Sequence, residues 1–192
     1  DVTLDSNVII TVENGVTIDG NDITIKYTGS TAWEGLFQNT SGSSSSSHTF
    51  TIKNITFDIL TANVAEGCGC IIGTGRIDAD NSYDYVNITI DNCISTSSSS
   101  SRGTIGKYAG GIVGRTFGRT GDSQLINCIN YLDVEGESAG GICGMFAGYK
   151  ATLLINSCIN EGNVSGKHAG GICGEDSGGA LGELSLNSCV NK

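Results

Sequence analysis

Six residues in two nearby stretches combine positive charge with aromatic surface: Arg115, Phe117 and Arg119, then Phe146, Tyr149 and Lys150. Basic and aromatic side chains gathered on one face can hold a glycan or a partner protein, so these six are the candidate ligand-binding residues. A local role competes with that one, because Phe117 and Phe146 could instead tuck down and cover the end of a strand. A second cluster, Asp78, Asp80 and Asp84 with Asn81 and Ser82, could offer oxygen ligands to calcium. It lacks the glycine and the distal glutamate of a helical calcium loop, and a solvated loop is the preferred account. Cys68-Gly69-Cys70 has the wrong spacing for a zinc knuckle and no partner pair. No metal or other cofactor is therefore expected.

Catalytic groupings are harder to assemble. His48 lies in a serine-rich stretch and His168 beside a glycine block. No aspartate pair adjoins a histidine or arginine, and no serine sits in a nucleophile elbow, so no catalytic residue is expected. Triplets matching the N-glycosylation acceptor begin at Asn39, Asn54, Asn87 and Asn163. They bear on function only in a secreted chain.

What must position these residues is a repeat. Ala109-Gly110-Gly111-Ile112-Val113-Gly114 returns as Ala139 to Gly144 and again as Ala169 to Gly174, 30 residues apart each time. A strict period of that length means stacked structural units. Further columns line up on the anchors Ile55, Cys93, Cys128, Cys158 and Cys189. Three residues earlier stand Ile52, Ile90, Leu125, Ile155 and Leu186, and five earlier Phe50, Ile88, Ser123, Leu153 and Leu184. One earlier stand Asn54, Asn92, Asn127, Ser157 and Ser188, all small, polar and turn-prone. Asn130, Asn160 and Asn191, two past the anchor, read as a hydrogen-bonded side-chain ladder. Trp33-Glu34-Gly35-Leu36-Phe37 reads as a degenerate glycine block. In each block the alanine points inward, two glycines make the turn and the isoleucine refills the core.

Short period-two runs and no helical periodicity imply an all-β chain. Columns in register at one period imply a single-stranded, right-handed parallel β-helix (β-solenoid), about six coils of about 30 residues with three short strands each. At roughly 4.8 Å between strands such a rod is about 30 Å long. Residues 1–192 form one domain, with irregular coils over 1–49 and regular repeats over 50–192. The final repeat stops without a polar cap, so the expectation is a piece of a longer chain. The inserted stretches Ser41 to His48, Thr74 to Asp84, Arg115 to Asp122, Met145 to Ala151 and Glu175 to Gly182 fall at one corner and should stack along one edge, the usual binding face. A further insertion, Ser97 to Ser101, lengthens the unit anchored on Cys93.

Twenty-nine glycines and no proline suit tight corners and strands paired on both sides. A net charge of −10 argues against nucleic acid or an anionic membrane as partner. No run of about 18 apolar residues occurs, so no membrane insertion is expected. The cysteines share columns with Ile55 and Val113, which reads as small buried hydrophobes rather than disulfides. Unpaired core thiols fit assembly in a reducing compartment.

The unit Asn127-Cys128-Ile129-Asn130, Val134-Glu135-Gly136, Ala139 to Gly144 resembles the glycine-rich GLUG-type repeat, as does Ser157 to Gly174. The likeness runs from about Asn87 to Lys192. It implies a right-handed β-helix of the kind found in bacterial cell-surface and adhesin-like proteins, with similar repeats in large DNA viruses and protist surface proteins. It carries no catalytic residues. The expected function is a structural or adhesive surface module, a stalk segment on a cell or particle, presenting corner loops to glycan or protein. Two alternatives stand beside it. One is a polysaccharide lyase or glycoside hydrolase of pectin-lyase-like fold, which needs clustered carboxylates on one sheet. The other is a subunit self-associating end to end through uncapped coils, dependent on Leu186 and Val190.

Overall fold

The computed structural model describes residues 1–39, 48–74, 86–100 and 103–192. Its elements are all strands, and among the described residues there is no helix. In chain order they are β1 (Val2–Leu4), β2 (Ile10–Val12), β3 (Thr17–Tyr27), β4 (Phe37–Asn39) and β5 (His48–Ile59). Then come β6 (Val86–Asp91), β7 (Ile94–Thr96), β8 (Thr104–Ile105), β9 (Ser123–Ile126) and β10 (Ile129–Asn130). The last five are β11 (Asp133–Val134), β12 (Thr152–Asn156), β13 (Ile159–Asn160), β14 (Glu183–Asn187) and β15 (Val190–Asn191).

Eleven of these strands make one sheet. Its path runs β14, β12, β9, β6, β5, β7, β10, β13, β15, with β3 beside β5 and β1 beside β3, and it does not close on itself. The remaining strands pair as β8 with β11 and β2 with β4. Every pairing is parallel. The expected columns are the observed register: Ile52 pairs with Ile90, Ile90 with Leu125, Leu125 with Ile155 and Ile155 with Leu186. In β9 and β12 alternate residues are buried, so a slip of one position would expose Leu125, Leu153 and Ile155 to water.

A left-handed residue turns the chain within β5 and between β6 and β7, β9 and β10, β12 and β13, and β14 and β15. Asn54, Asn92, Asn127, Ser157 and Ser188 have φ of 58°, 50°, 53°, 54° and 53°. Asparagine tolerates this region better than other residues with a β-carbon, which is why the column is asparagine-rich. The side chains also tie the column together. Asn92 Nδ2 donates to Asn54 Oδ1 at 2.9 Å, and Asn54 Nδ2 donates to Asp19 Oδ1 at 2.8 Å. The bond from Asn54, with one from the Asn21 N–H and the nearby Lys53, holds the Asp19 carboxyl down at about 2.

All eight cysteines are free, six of them buried. The thiols of Cys68, Cys93, Cys128, Cys158 and Cys189 donate to backbone carbonyls, as Cys128 Sγ does to Ile126 O at 3.3 Å and Cys158 Sγ to Leu125 O at 3.5 Å. Burial pushes the thiols of Cys68 and Cys93 up to about 11 and about 12. Buried cysteine with a satisfied thiol is interchangeable with isoleucine here, which explains why Ile55 shares the column.

The glycine block turns out differently from the expected corner. Its turn is made one residue earlier, by Tyr108, Ser138 and His168, with φ of 60°, 56° and 56°. The two glycines answer to crowding instead. A β-carbon on Gly111 would collide with Gly141 O and the Asn130 carboxamide, and one on Gly141 with Gly171 O and the Asn160 carboxamide. Asn130 and Asn160 are fully buried, and Asn130 Nδ2 reaches Asn160 Oδ1 at 2.7 Å as Asn160 Nδ2 reaches Asn191 Oδ1 at 2.7 Å. Asn130 also donates to Leu132 O at 2.8 Å, and its Oδ1 accepts from Leu132 N and Ser95 Oγ. The asparagine ladder is thus satisfied inside the fold, and the glycines are small because the ladder passes against them.

Two further readings need correction. Phe37 bridges Ile72, and Ile72 bridges Val113, as a degenerate block would require. Trp33, however, bridges Val64 in the Ile105 column rather than taking the alanine position. Four positions separate Trp33 from Phe37 where eight separate Val64 from Ile72, and the indole fills this shortened turn. It stacks on Phe57 at 4.4 Å, tilts against Tyr27 at 4.7 Å, and donates from Nε1 to Cys70 O at 3.0 Å. The register places Cys68 to Gly73, which sequence reading took for an isolated Cys-x-Cys, as a copy of the glycine block. Apolar side chains also stand on the outer face. Ile94, Ile129, Ile159 and Val190 pair in one partly exposed column, with Ser95, Asn130 and Asn160 inward.

Candidate functional site

The inserted stretches after the glycine blocks stack on one another through their backbones. Thr116 N donates to Met145 O at 2.9 Å, Gly148 N to Phe117 O at 2.9 Å and Lys150 N to Arg119 O at 3.0 Å. The next layer repeats the pattern, with Phe146 N to Glu175 O at 3.1 Å and Gly178 N to Ala147 O at 2.8 Å. Positive φ recurs in register at Thr116, Phe146 and Asp176, and again at Gly118, Gly148 and Gly178. Loops with the same internal turns nest, and nesting brings side chains from successive repeats face to face.

Four of the six candidate residues meet in this way. The Arg115 guanidinium lies 5.4 Å from the Phe146 ring centre and 5.3 Å from that of Tyr108. Arg119 lies 5.3 Å from the Tyr149 ring. Phe146 and Tyr149 meet edge to face at 5.2 Å and 78°. Each such cation–ring contact at a partly exposed site contributes about 0.5–1 kcal/mol, enough to hold a rotamer but not a fold. Between them Arg119, Phe146 and Tyr149 line a cavity of about 100 Å³. The Tyr149 ring rests over Gly179, where a β-carbon would stand 2.8 Å from Cε2.

Phe117 does not belong to this surface. It is 1% exposed and part of the core, which corrects its place among the binding candidates. Its burial has a sequence signal. Where the column of Leu153 holds the smaller Ser123, the loop supplies Phe117; where it holds Leu153, the loop supplies Ala147. A large-for-small exchange of this kind keeps core volume constant. Lys150 is exposed, and both it and Arg115 lie outside the cavity lining. Tyr108, by contrast, was missed. It precedes its glycine block and has Lys107 Nζ 4.6 Å above its ring, as well as Arg115.

A polar group flanks this cluster. Glu175 accepts from Ser138 Oγ at 2.6 Å and pairs with His168 Nδ1 at 3.1 Å. Lys107 pairs with Glu137 at 2.9 Å, which holds the Glu137 carboxyl below its usual range. Serine, histidine and glutamate are all present, but the glutamate sits between the other two. His168 therefore reaches Glu175 and not Ser138, so the serine–histidine–carboxylate order of a hydrolase triad is not formed, and Glu175 ties the two residues together.

Asp78, Asp80 and Asp84 fall outside the described residues, as do Ser41 to Ser47. Among the described residues no group of three or more His, Cys, Asp or Glu is placed to hold a metal. Ser98, in the inserted serine run, caps the buried Asp58 by N–H and hydroxyl bonds of 2.8 and 2.6 Å. Of the triplet asparagines, Asn54 is engaged in the corner ladder, and Asn163 donates to Asp133 Oδ1 at 3.1 Å. Leu186 and Val190 on the outermost strands are 49% and 43% exposed.

No family model, curated protein or solved structure matches this chain.

Proposed function

We propose that the chain is a segment of a right-handed parallel β-helix built from GLUG-type repeats, and that it serves as a non-catalytic surface rod whose loop edge binds glycan. The observation carrying this reading is the in-register nesting of the loops after the glycine blocks, which gathers Arg115, Arg119, Phe146 and Tyr149 onto one edge. Parallel pairing throughout, with each glycine block bridged to the next (Gly110 to Gly140 to Gly170), supports the coil arrangement. Right-handedness follows from the strong preference of parallel crossovers. The module would act extracellularly, on a cell or particle surface, and take no cofactor.

The test is retention of the chain on a panel of immobilised polysaccharides, with release of reducing or unsaturated ends followed in parallel. Expected is retention without product, lost when Met145–Ala151 is replaced by a short turn. Steady release of product would establish the lyase or hydrolase alternative instead. Retention unchanged by the loop replacement would remove the loop edge as the binding face.

A further inference from the structure

We propose that Asn163 is an N-glycosylation site, carrying its glycan on the outward corner between β13 and the bridge at Val164. This rests on reading the chain as an extracellular module, since only a secreted chain meets the transferring enzyme.

Four triplets match the acceptor pattern, and the fold treats them differently. Asn54-Ile55-Thr56 lies inside β5, which pairs with β3 on one side and with β6 and β7 on the other. Asn54 is half-buried, has a φ of 58°, and is held between Asp19 and Asn92 by carboxamide bonds of 2.8 and 2.9 Å. Asn87-Ile88-Thr89 lies inside β6, in register with Thr49 to Thr51 of β5, and both of its polar residues are half-buried. The triplet at Asn39 runs into residues outside the described set and carries no part of the argument. Asn163-Val164-Ser165 lies outside the strands. Asn163 and Ser165 are both exposed, on either side of Val164, which bridges the buried Val134. Strand-like alternation thus turns the acceptor amide and the hydroxyl of the triplet to the same outward side.

Stacking does not close this corner. Asn63, Thr104, Asp133 and Asn163 share one column, in which Thr104 N donates to Asn63 Oδ1 at 3.1 Å and Asn163 N to Asp133 Oδ1 at 2.9 Å. Asn63 stays exposed with Thr104 paired beside it, and Glu135 stays exposed with Ser165 beside it. The exposure therefore belongs to the corner and not to one layer.

The amide is also free to react. A carboxamide has two N–H donors, and Asn163 Nδ2 gives one to Asp133 Oδ1 at 3.1 Å. In the transfer Nδ2 attacks the anomeric carbon of a lipid-diphosphate-linked oligosaccharide. The C–N bond forms as the C–O bond to the diphosphate breaks, the lipid diphosphate leaves with the electron pair, and one amide proton is lost. One N–H remains, so the bond to Asp133 survives the modification. The inserted loops follow the glycine blocks at a different corner, so the loop edge stays uncovered.

The experiment offers the folded chain to a purified oligosaccharyltransferase with its lipid-linked oligosaccharide, beside short peptides spanning Asn54, Asn87 and Asn163. Occupied asparagines are mapped by peptide mass spectrometry after amidase release in heavy-oxygen water. Expected is modification of all three peptides, and of Asn163 alone among these sites in the folded chain. Asn163→Gln and Ser165→Ala should each abolish it, and Ser165→Thr should retain it. Ser165→Ala keeps the Asn163 bonds to Asp133, so its loss of glycan is not a loss of fold. An unmodified Asn163 in the folded chain, whether or not its peptide reacts, would overturn the proposal. Equal occupancy of Asn54 or Asn87 in the folded chain would overturn exposure as its basis. Should polysaccharide retention depend on Met145–Ala151 while Asn163 stays unmodified, the loop-edge reading survives the loss of this one.

Discussion

Asn160 shows how one side chain links two columns. It donates to Gly162 O at 2.9 Å and Asn191 Oδ1 at 2.7 Å, and accepts from Asn130. Replacing it with alanine strands a buried donor on Asn130, so Asn160→Ala should cost about 2–3 kcal/mol in denaturant unfolding. Exposed Asn163→Ala should cost well under that. Gly141→Ala is the complementary test, since its β-carbon meets Gly171 O and the Asn160 carboxamide. It should destabilise by about 1–3 kcal/mol even though the backbone there is not left-handed. A pH dependence belongs at this scale too. Burial raises Cys93 from an ordinary 9.0 to about 12. A group whose folded value lies above its unfolded one gives stability that is full below about 9 and lost as pH climbs toward about 12. The unfolding midpoint should therefore fall over that window, and Cys93→Val should shallow the fall while leaving neutral stability nearly unchanged. The ladder and the buried cysteines were both legible in the columns. The role of the glycines was not, because crowding against a neighbouring repeat is invisible in a single repeat.

At the scale of elements, the loops after the glycine blocks divide their aromatics between core and surface. Phe117 is 1% exposed while Phe146 is partly exposed beside Tyr149. Phe117→Ala should cost about 3–5 kcal/mol, as a buried aromatic truncation does. Phe146→Ala should stay within about 1 kcal/mol in stability. Equal losses from both would mean that Phe146 is a core residue and the cleft a packing defect. The sequence placed both loops correctly at one corner and named four residues that do converge. It could not separate Phe117 from Phe146, because both follow a glycine block and both precede a glycine by one or two positions. Phe117 aligns with Ala147 and fills the space left by Ser123, whereas Phe146 aligns with Thr116, one position earlier in its loop. Tyr108 escaped notice for a similar reason: its relation to Arg115 arises only when the loop folds back over its own block.

For the whole molecule, parallel pairing of each unit with the next makes the 30-residue repeat the natural unit of change. Deleting residues 128–157 joins Asn127 to Cys158, restoring every column, and should leave strand content by circular dichroism and one cooperative unfolding transition. Deleting 128–142 puts Cys143 in the anchor column and its following residues out of register, and should give an unfolded or aggregated chain. Survival of both deletions, or of neither, would mean the units are not stacked interchangeably. The amino-acid order alone determined the all-β character, the parallel register and the column partners, because alternation and a fixed period leave only one way to bury the apolar set. Tertiary structure decided what depends on distance across repeats. The turn belongs to Tyr108, Ser138 and His168 rather than to the glycines, and Trp33 moves forward to fill a shortened turn. An isoleucine column faces outward over an inward asparagine ladder. Arg115 comes to rest between two rings, because packing between neighbours selects among side-chain positions that a one-dimensional pattern treats as equal.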